Sequence, residues 1–390
     1  MRLLLVADVF PPVRTSGAAL MHDLAASLAR IGHDCTVVTP DAQISRPFEI
    51  DHRDGFDVLR IRFGPLKRIN LVRRAINEML LSSRMWRGYR ASPAASEHYD
   101  GVVFYSPTIF FGRFIARLKS LYNCRAYLIL RDIFPDWAID LGVMRRGPHY
   151  WIFKAVARYQ YSVADMIGIE SPSNKKYFSE DTHKTEVLHN WIEVDAPSPP
   201  FFSPPESLRN HNILVYAGNM GVAQDMDNLL RLAQRLARRK DCRLLFVGGG
   251  TERGRIEAQV RHLGLNNVAI LPEVHPQELR GLLRQCQVGL VSLDKRLRSH
   301  NITGKLLSYL EAGLPVLASV NSGNDIKAVV EGAGAGLVFW NGEDDALTSA
   351  ANWMLDRGDE RARMGTAARR LCRTQFSATA AAEQISRSFQ

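Results

Sequence analysis

The sequence lacks any pairing pattern among its cysteines. The five are scattered, with no CxxC pair and no spacing typical of metal ligands: Cys35, Cys124, Cys242, Cys286 and Cys372. This pattern argues against a disulfide scaffold or a zinc centre and favours a reducing compartment. The sequence also lacks an apolar run of the ~20 residues that a membrane span requires. Its start, MRLLLVADVFPP, has no small-residue cleavage site, so we interpret it as a first strand and not a signal peptide.

Acidic residues are fewer than basic ones, at 40 against 50, which gives a net charge of +10. The excess is concentrated in one place. From Arg60 to Arg90 there are nine lysines and arginines and one acid, Glu78. Such a local excess of positive charge indicates a surface that binds a partner, because the charge is not spread evenly over the chain.

Predicted strands and helices alternate in two halves of the 390-residue chain. Alternation predicts parallel pairing, so we expect an α/β protein with two Rossmann-like, doubly wound parallel-sheet domains facing across a cleft. The predicted parts are an N-terminal domain (1–192), a linker (193–211), a C-terminal domain (212–374) and a C-terminal helix (375–390) that packs back on the first domain. Five prolines and no periodicity mark the linker.

The most informative segment is SHNITGKLLSYLEAGLPVLAS (299–319). It predicts a polar loop, an amphipathic helix, a glycine turn and a buried strand. Thr303, Gly304 and Lys305 fall at the helix start, where unpaired amides and the helix dipole attract an anion such as phosphate. Taken alone, the segment also fits an ordinary helix start with a surface lysine.

Four segments resemble glycosyltransferase family 4, which has the GT-B fold. They are ADVFPPVRTSGAALMHDLAASLARIGHDCTVVTP (7–40), YAGNMGVAQDMDNLLRLA (216–233), LLFVGGGTERGRIE (244–257) and GKLLSYLEAGLPVLAS (304–319). They follow the family's order over nearly the whole chain. LRDIFPDWAIDLGVM (130–144) further resembles the WbuB-like branch, which builds bacterial O-antigen and capsule sugars.

The chain departs from the family at positions that hold the donor. Many members carry Arg and Lys in the turn after the first C-terminal strand, where this chain has Asn219 and Gln224. The usual pair of glutamates, eight residues apart, falls on His300 and Ser308. Lys305 is then the principal cation for the leaving diphosphate.

The resemblance implies a metal-independent, retaining transfer with no cofactor, in which amides, a helix start and a basic side chain stabilise the departing charge. Lys305 is the predicted catalytic residue for this step. The expected donor contacts are Gly17, Asn219, Gly221, Gln224, Gly249, Thr303, Gly304 and Ser308. Gly17 also fits a plain strand-to-helix turn, and Gly249 also fits a flexible turn in the 248–250 run.

The acceptor is expected at the carboxyl ends of the N-terminal strands. Ser106 and Thr108 stand where many members have a histidine, and Arg131 and Asp132 follow a strand directly. Asp132 could act as a base or orient the acceptor. The alternative is a structural pair of Arg131 with Asp132. A metal on Asp132 and the two acids that follow it is not expected, because Pro135 interrupts the helix.

The 65–90 segment predicts a helix with an apolar side and a basic flank. These features, with aromatic residues at its end, describe a helix lying on an anionic membrane surface. The expected contacts are Arg73, Arg74, Met79, Leu80, Arg84, Trp86 and Arg87. The alternative is a core helix with a solvated basic edge. Nucleic acid is not an expected partner, because no stacking platform accompanies the charge.

The sequence therefore predicts an enzyme on the cytoplasmic face of the membrane. It would move a sugar, an N-acetylated amino sugar by similarity to the branch, from UDP to a polyprenyl-diphosphate-linked acceptor for surface polysaccharide. Two alternatives stay open: a non-catalytic protein that binds sugar nucleotides or polysaccharide, and a GT-B-fold sugar-nucleotide epimerase.

Overall fold

The internal contacts of the computed structural model divide the chain into two units. Unit 1 comprises Met1–Glu193 with Ala378–Gln390, and unit 2 comprises Val194–Ser377. The structure describes residues 1–390 apart from 14, 54, 65–70, 141–143, 179–183, 195–205 and 298–301. Most of the predicted linker therefore lies outside the described residues.

Unit 1 is built on an eight-stranded sheet. Its strands are β1 (Arg2–Val6), β2 (Asp34–Asp41), β3 (Phe48–Arg53), β4 (Phe56–Arg62), β5 (Gly101–Ser106), β6 (Arg125–Leu130), β7 (Met166–Ile169) and β8 (Thr185–Val187). They lie in the order β3-β4-β2-β1-β5-β6-β7-β8. The β3–β4 hairpin at the edge is antiparallel, and the other neighbours pair in parallel.

Five helices of unit 1 connect these strands. They are α1 (Ser16–Arg30), α2 (Leu71–Arg90), α3 (Gly112–Tyr122), α4 (Asp136–Asp140) and α5 (Pro148–Val163). The start of α1 is fixed by the Thr15 side chain, which accepts a hydrogen bond from the Ala18 amide at 3.3 Å. Such a cap satisfies an amide that the helix itself leaves unpaired.

Unit 2 is built on a six-stranded parallel sheet in the order β11-β10-β9-β12-β13-β14. Its strands are β9 (Asn212–Ala217), β10 (Cys242–Val247), β11 (Val268–Leu271), β12 (Val288–Ser292), β13 (Val316–Val320) and β14 (Gly336–Trp340). Its helices are α6 (Met226–Leu236), α7 (Arg253–His262), α8 (Pro276–Leu283), α9 (Gly304–Ala312), α10 (Ile326–Gly332), α11 (Asp344–Asp356) and α12 (Gly358–Gln375).

The last helix, α13 (Ala378–Arg387), returns the chain to unit 1. It packs along α1, and its Ile385 is fully buried. The Ala378 amide donates to the Ile192 carbonyl at 3.1 Å. The ring of Phe389 covers Gly101 so closely that a Cβ there would lie 2.4 Å from it. The start of β5 is therefore shaped to receive the end of the chain.

The two faces of the unit 1 sheet carry different helices. Leu4 of β1 belongs to an apolar cluster shared with α2, α3 and α5. Its neighbours Leu3 and Leu5 belong to a second cluster, shared with α1 and α13. Since successive strand residues point to opposite sides, α2, α3 and α5 cover one face and α1 and α13 the other. We refer to the first as the α2–α3–α5 face.

The predicted α/β fold with two parallel-sheet domains is confirmed. The antiparallel strand β3 was not predicted. Its sequence, FEIDHR, is rich in charge and exposed or half-buried along its length, so it lacks the apolar alternation that identifies a strand. Antiparallel pairing with β4 accounts for it.

Candidate functional site

In unit 2, two glycine turns meet where β9 and β10 end. The Gly218 amide donates to the Val247 carbonyl at 2.8 Å, and the Met220 amide donates to the Gly249 carbonyl at 2.7 Å. Gly248 has φ +142°, and a Cβ on it would lie 2.1 Å from the Gly218 carbonyl oxygen. Glycine is required there because backbone packs directly against backbone. This explains Gly248 without a ligand, whereas a Cβ on Gly249 would enter open space.

Lys305, the second residue of α9, reaches across these turns. Its Nζ donates to Gln224 Oε1 at 2.7 Å and lies 5.0 Å from the centre of the Tyr216 ring. Its Cε lies 3.2 Å from the position of a Cβ on Gly218. Burial lowers the pKa of Lys305 to about 8, because the half-buried ammonium loses hydration. The predicted lysine and the predicted glutamine are therefore in direct contact.

The start of α9 is left without a side-chain cap. Thr303 occupies the N-cap position, yet its hydroxyl makes no capping bond. Thr303 Oγ1 is buried and finds no hydrogen-bond partner among the described residues. Gly304 is exposed, and a Cβ on it would contact no neighbour within 4 Å. A helix start with open amides, a buried hydroxyl and a lysine is suited to an anion.

The remaining predicted donor residues of unit 2 that the structure describes lie on the loop after β9 or on α9. Asn219 is exposed, and its carbonyl accepts a hydrogen bond from the Tyr216 hydroxyl at 2.6 Å. Gly221 lies close beneath the Asn219 amide, since a Cβ on it would be 2.8 Å from Asn219 Nδ2. Ser308 is half-buried one turn into α9, with its Oγ 3.5 Å from the Gly304 carbonyl oxygen. His300 lies outside the described residues.

Gly17 lies in unit 1, near the start of α1. A Cβ on it would meet the Tyr105 hydroxyl at 2.9 Å and the Tyr105 ring at 3.0 Å. Packing against Tyr105 therefore accounts for the glycine. This contact supports the plain-turn interpretation of Gly17, and its role as a donor contact stays a prediction.

Ser106 and Thr108 form part of the loop that leaves β5. Ser106 is fully buried, and its hydroxyl donates to the Thr108 carbonyl at 3.0 Å. Gln160 of α5 donates to the same carbonyl at 2.8 Å and accepts from the Phe111 amide at 3.0 Å. These hydrogen bonds fix the conformation of the loop. Thr108 is half-buried, so of the two it is the one with surface available to an acceptor.

Arg131 is buried at the end of β6 and binds backbone. Its guanidinium donates to the carbonyls of Leu188, at 2.6 Å, and His189, at 3.2 Å. It also lies 5.1 Å from the Trp191 ring, whose indole donates to the Leu20 carbonyl at 2.9 Å. Burial lowers the pKa of Arg131. These contacts fix the segment that follows β8, which is a structural role. Asp132, the next residue, is exposed.

Asp136 follows the exposed Asp132 by four residues. It accepts a hydrogen bond from the Tyr150 hydroxyl at 3.0 Å and pairs with Lys154 at 2.5 Å. Within the described part of the chain, no three of the metal-binding residue types cluster together.

Glu170 is a buried acid that the sequence analysis did not identify. It follows β7 directly, and its carboxylate accepts from the Asn190 side-chain amide at 2.7 Å. Burial raises the pKa of Glu170 to about 7, against the opposing effect of Arg131 and with a further rise from Asp132. The signal in the sequence was a single acid directly after the apolar run MIGI. Because β6 and β7 are parallel, this acid lies at the same edge of the sheet as Asp132.

The predicted membrane residues lie on α2. Met79, Leu80, Arg84 and Arg87 are exposed, while the side chains of Arg73 and Arg74 fall outside the described part of the chain. Trp86 is half-buried against the core, with its ring 6.5 Å from that of Phe114. No described helix has the length and apolar character needed to cross a bilayer.

Comparison with known proteins gives the class of this fold. Residues 201–371 match the family model "Glycosyl transferases group 1". The chain is 23% identical over 234 residues to the probable glycosyltransferase WbjE of Pseudomonas aeruginosa, a match that covers 57% of each chain. It is 24% identical over 229 residues to the putative colanic acid biosynthesis glycosyl transferase WcaI of Escherichia coli K12, covering 55% of this chain and 56% of WcaI. The matches thus span little more than half the length of these relatives.

The solved structure of HepE from Anabaena in complex with UDP has the same fold. The TM-score is 0.65 at 13% identity, over 100% of this chain and 99% of HepE. The two-sheet architecture is therefore that of the GT-B glycosyltransferases. Residues 201–371, which lie within unit 2, are thus similar to glycosyltransferase group 1, in agreement with the resemblance to family 4.

Proposed function

We propose that this protein is a retaining glycosyltransferase that moves an N-acetylated amino sugar from UDP to a polyprenyl-diphosphate-linked acceptor. The similarity of residues 201–371 to glycosyltransferase group 1 supports a nucleotide-sugar donor. The UDP complex of HepE supports UDP, and the similarity to WcaI supports a place in surface polysaccharide synthesis. The sugar and the acceptor rest on the resemblance to the WbuB-like branch.

The observation that carries this proposal is the position of Lys305. Its ammonium lies at an uncapped helix start and reaches the turn at Gly218, next to the 248–250 turn in which a Cβ on Gly249 would meet open space. Gln224 holds it at 2.7 Å through a neutral oxygen, and no carboxylate of the described residues forms an ion pair with it. A diphosphate bound there would gain one full charge and the open amides of α9.

The chemistry follows from the charge that develops during transfer. As the bond from the anomeric carbon to the diphosphate breaks, negative charge grows on the leaving oxygen. Lys305 and the α9 amides stabilise that charge where it appears. The resemblance implies attack from the same face of the sugar, with a donor phosphate oxygen taking the acceptor proton. Such a step needs no histidine after β5, where this chain has Ser106 and Thr108.

We further propose that the enzyme works at the cytoplasmic face of the membrane, with α2 against anionic lipid. A lipid-linked acceptor requires an enzyme held at the bilayer. Met79 and Leu80 are exposed beside Arg84 and Arg87, which is the composition of an interfacial helix.

The test is release of UDP from purified UDP-sugars, supplied with a lipid-linked acceptor, by wild type and Lys305→Ala. We expect kcat/KM to fall by ~10²-fold or more, because one preorganised charge at the leaving group is removed. Lys240→Ala is the matched control, since Lys240 is exposed in the same unit, just before the start of β10, whereas the turns follow the ends of β9 and β10. It should retain wild-type turnover.

Near-normal kcat/KM in Lys305→Ala would remove Lys305 from the site. Stabilisation of the wild type by UDP, without release of UDP from any UDP-sugar, would instead favour a non-catalytic binding protein. This second function is favoured by Asn219 and Gln224, which are neutral where many family members carry a positive charge.

A further inference from the structure

The α2–α3–α5 face differs in charge from the opposite face of the same sheet. Helices α2, α3 and α5 contain ten arginines and lysines and one acid, Glu78. On the other face, α1 and α13 each contain one basic and one acidic residue, so their formal charges balance. The excess on three helices is thus close to the net +10 of the entire chain.

The same face exposes large apolar side chains. On α2 these are Met79, which is 64% exposed, and Leu80, at 36%. On α5 they are Trp151 at 61%, Ile152 at 57% and Tyr159 at 44%. Among the described residues of α1 and α13, no large apolar side chain is exposed to this extent. Apolar side chains in water are unfavourable, and a cluster of them indicates a surface that is covered in use.

The apolar pairs lie toward one end of the face. Each helix that follows a parallel strand begins at the carboxyl end of the sheet. Trp151 and Ile152 are in the first turn of α5, whose Tyr150 bonds to Asp136 just beyond β6. Met79 and Leu80 lie in the first half of α2. The exposed Asp132 is at this same end of the sheet.

Trp86 and Tyr89, the aromatic residues at the end of α2, do not form part of this surface. Tyr89 is fully buried, and its hydroxyl lies 2.6 Å from that of Tyr122. The Trp86 ring packs on the core, with the guanidiniums of Arg90 and Arg117 at 5.8 and 5.6 Å from its centre. Cations of two helices therefore meet over one ring and form a basic band behind the apolar pairs.

We propose that the α2–α3–α5 face as a whole, and not α2 alone, lies on an anionic bilayer, with Trp151 and Ile152 of α5 inserted as one anchor and Met79 and Leu80 as a second. Charge complementarity selects the occupant. The arginines meet lipid phosphates while the apolar pairs enter the acyl boundary. Tryptophan suits the interface because its indole is apolar with one polar edge. The purpose of the surface, access to a lipid-linked acceptor, rests on the proposed function.

The experiment is sedimentation of the full chain with vesicles made of equal parts phosphatidylcholine and phosphatidylglycerol, or of phosphatidylcholine alone. We expect binding to the anionic vesicles only. Trp151→Ser with Ile152→Ser should weaken it at least ~10-fold, because two apolar side chains lose their burial in lipid. Arg84→Ser with Arg87→Ser should weaken it by ~5-fold or more per arginine at low salt.

Leu263→Ser is the matched control. Leu263 is exposed to 37%, directly after α7 in unit 2, and so it is not part of the α2–α3–α5 face. This variant should bind vesicles as the wild type does. The proposal would be overturned by an equal loss in Leu263→Ser, by wild-type binding of the Trp151/Ile152 variant, by equal binding to neutral vesicles, or by binding to duplex DNA in place of vesicles. Thermal stabilisation by UDP is measured in parallel, so that loss of the membrane surface is distinguished from failure of the donor site.

Discussion

Lys305 and Glu170 are ionisable residues that burial pushes toward their neutral forms, one in each unit. The pKa of Lys305 falls to about 8 and that of Glu170 rises to about 7. A charge held away from water raises the free energy of the folded chain unless a ligand or partner compensates it. For Lys305 the proposed compensation is a diphosphate. For Glu170 the Asn190 amide, at 2.7 Å, supplies one hydrogen bond.

Glu170→Gln tests this view of the acid through the pH dependence of stability. The folded pKa of Glu170 is about 7, above the ordinary 4.5, so the folded chain binds the extra proton between those values. The wild type therefore loses stability as pH rises from about 4.5 to 7, and the full cost remains above 7. Glutamine can keep the bond from Asn190 and cannot ionise. We expect its thermal midpoint at pH 8 to exceed that of the wild type by roughly 2 °C or more.

At pH 5 the same variant should show no gain, because Glu170 is then protonated in the folded chain. Differential scanning calorimetry at both pH values is the measurement. A constant difference between the two proteins across this range would show that Glu170 does not titrate there.

How far the site could be predicted depends on the range of the interactions. The position of Lys305 at a helix start could be predicted because its signal is local, a glycine and a lysine at the start of an amphipathic helix; its catalytic role stays a prediction. The acceptor contact of Arg131 also stays a prediction, and its bonds to carbonyls 57 and 58 residues away could not be predicted from the sequence. Glu170 was missed for the same reason, since Asn190 reaches it only after β7 and β8 pair.

At the scale of elements, helix α9 resembles the family's nucleotide-binding helix in sequence but differs from it at one side chain. The resemblance places a ribose-binding glutamate where this chain has Ser308, one turn after Gly304. Ser308 is half-buried, and its hydroxyl lies 3.5 Å from the Gly304 carbonyl oxygen. In the proposed donor site, a glutamate at this position would add a carboxylate acceptor for the ribose hydroxyls that serine lacks.

Ser308→Glu is therefore expected to tighten the binding of UDP by ~10-fold, the effect of hydrogen bonds to a charged acceptor. Isothermal titration calorimetry provides the affinity. The matched ligand is 2′,3′-dideoxyuridine diphosphate, which lacks the hydroxyls and should gain nothing. An equal gain for both ligands would mean that the glutamate acts elsewhere.

Most elements could be predicted because their own residues carry the period of a helix or a strand. The amphipathic helix and the buried strand predicted within 299–319 correspond to α9 (Gly304–Ala312) and β13 (Val316–Val320), and the predicted first strand corresponds to β1 (Arg2–Val6). The strand β3 could not be predicted, because its own residues do not show the period of a strand. It forms by pairing with β4. Likewise, Trp86 has the sequence environment of an interfacial residue, and only packing on Phe114 shows otherwise.

At the scale of the whole molecule, unit 1 is assembled from two distant parts of the chain. Ala381, Ala382 and Ile385 of α13 are buried in the cluster that also contains Leu24 of α1. Without α13 this apolar surface would face water, and each large buried side chain left exposed costs ~1.5–3 kcal/mol.

Residues 1–193 alone should therefore be less stable than the same residues joined by a flexible linker to 378–390. Urea unfolding followed by circular dichroism compares the two, and the joined form should have the higher midpoint. Ile385→Asp in the joined form is the matched control, and it should return the midpoint to that of 1–193. Equal midpoints for all three proteins would show that α13 adds nothing to unit 1.

The return of α13 to unit 1 has a consequence for synthesis on the ribosome. The whole of unit 2 is translated between α1 and α13, which takes roughly 10–40 s at ~5–20 residues per second. During that time the groove beside α1 that receives Ile385 has no occupant from its own chain. A chaperone that holds apolar surface would find it there, and translation of α13 would displace the chaperone. Unit 1 would thus be completed only after unit 2 had been synthesised.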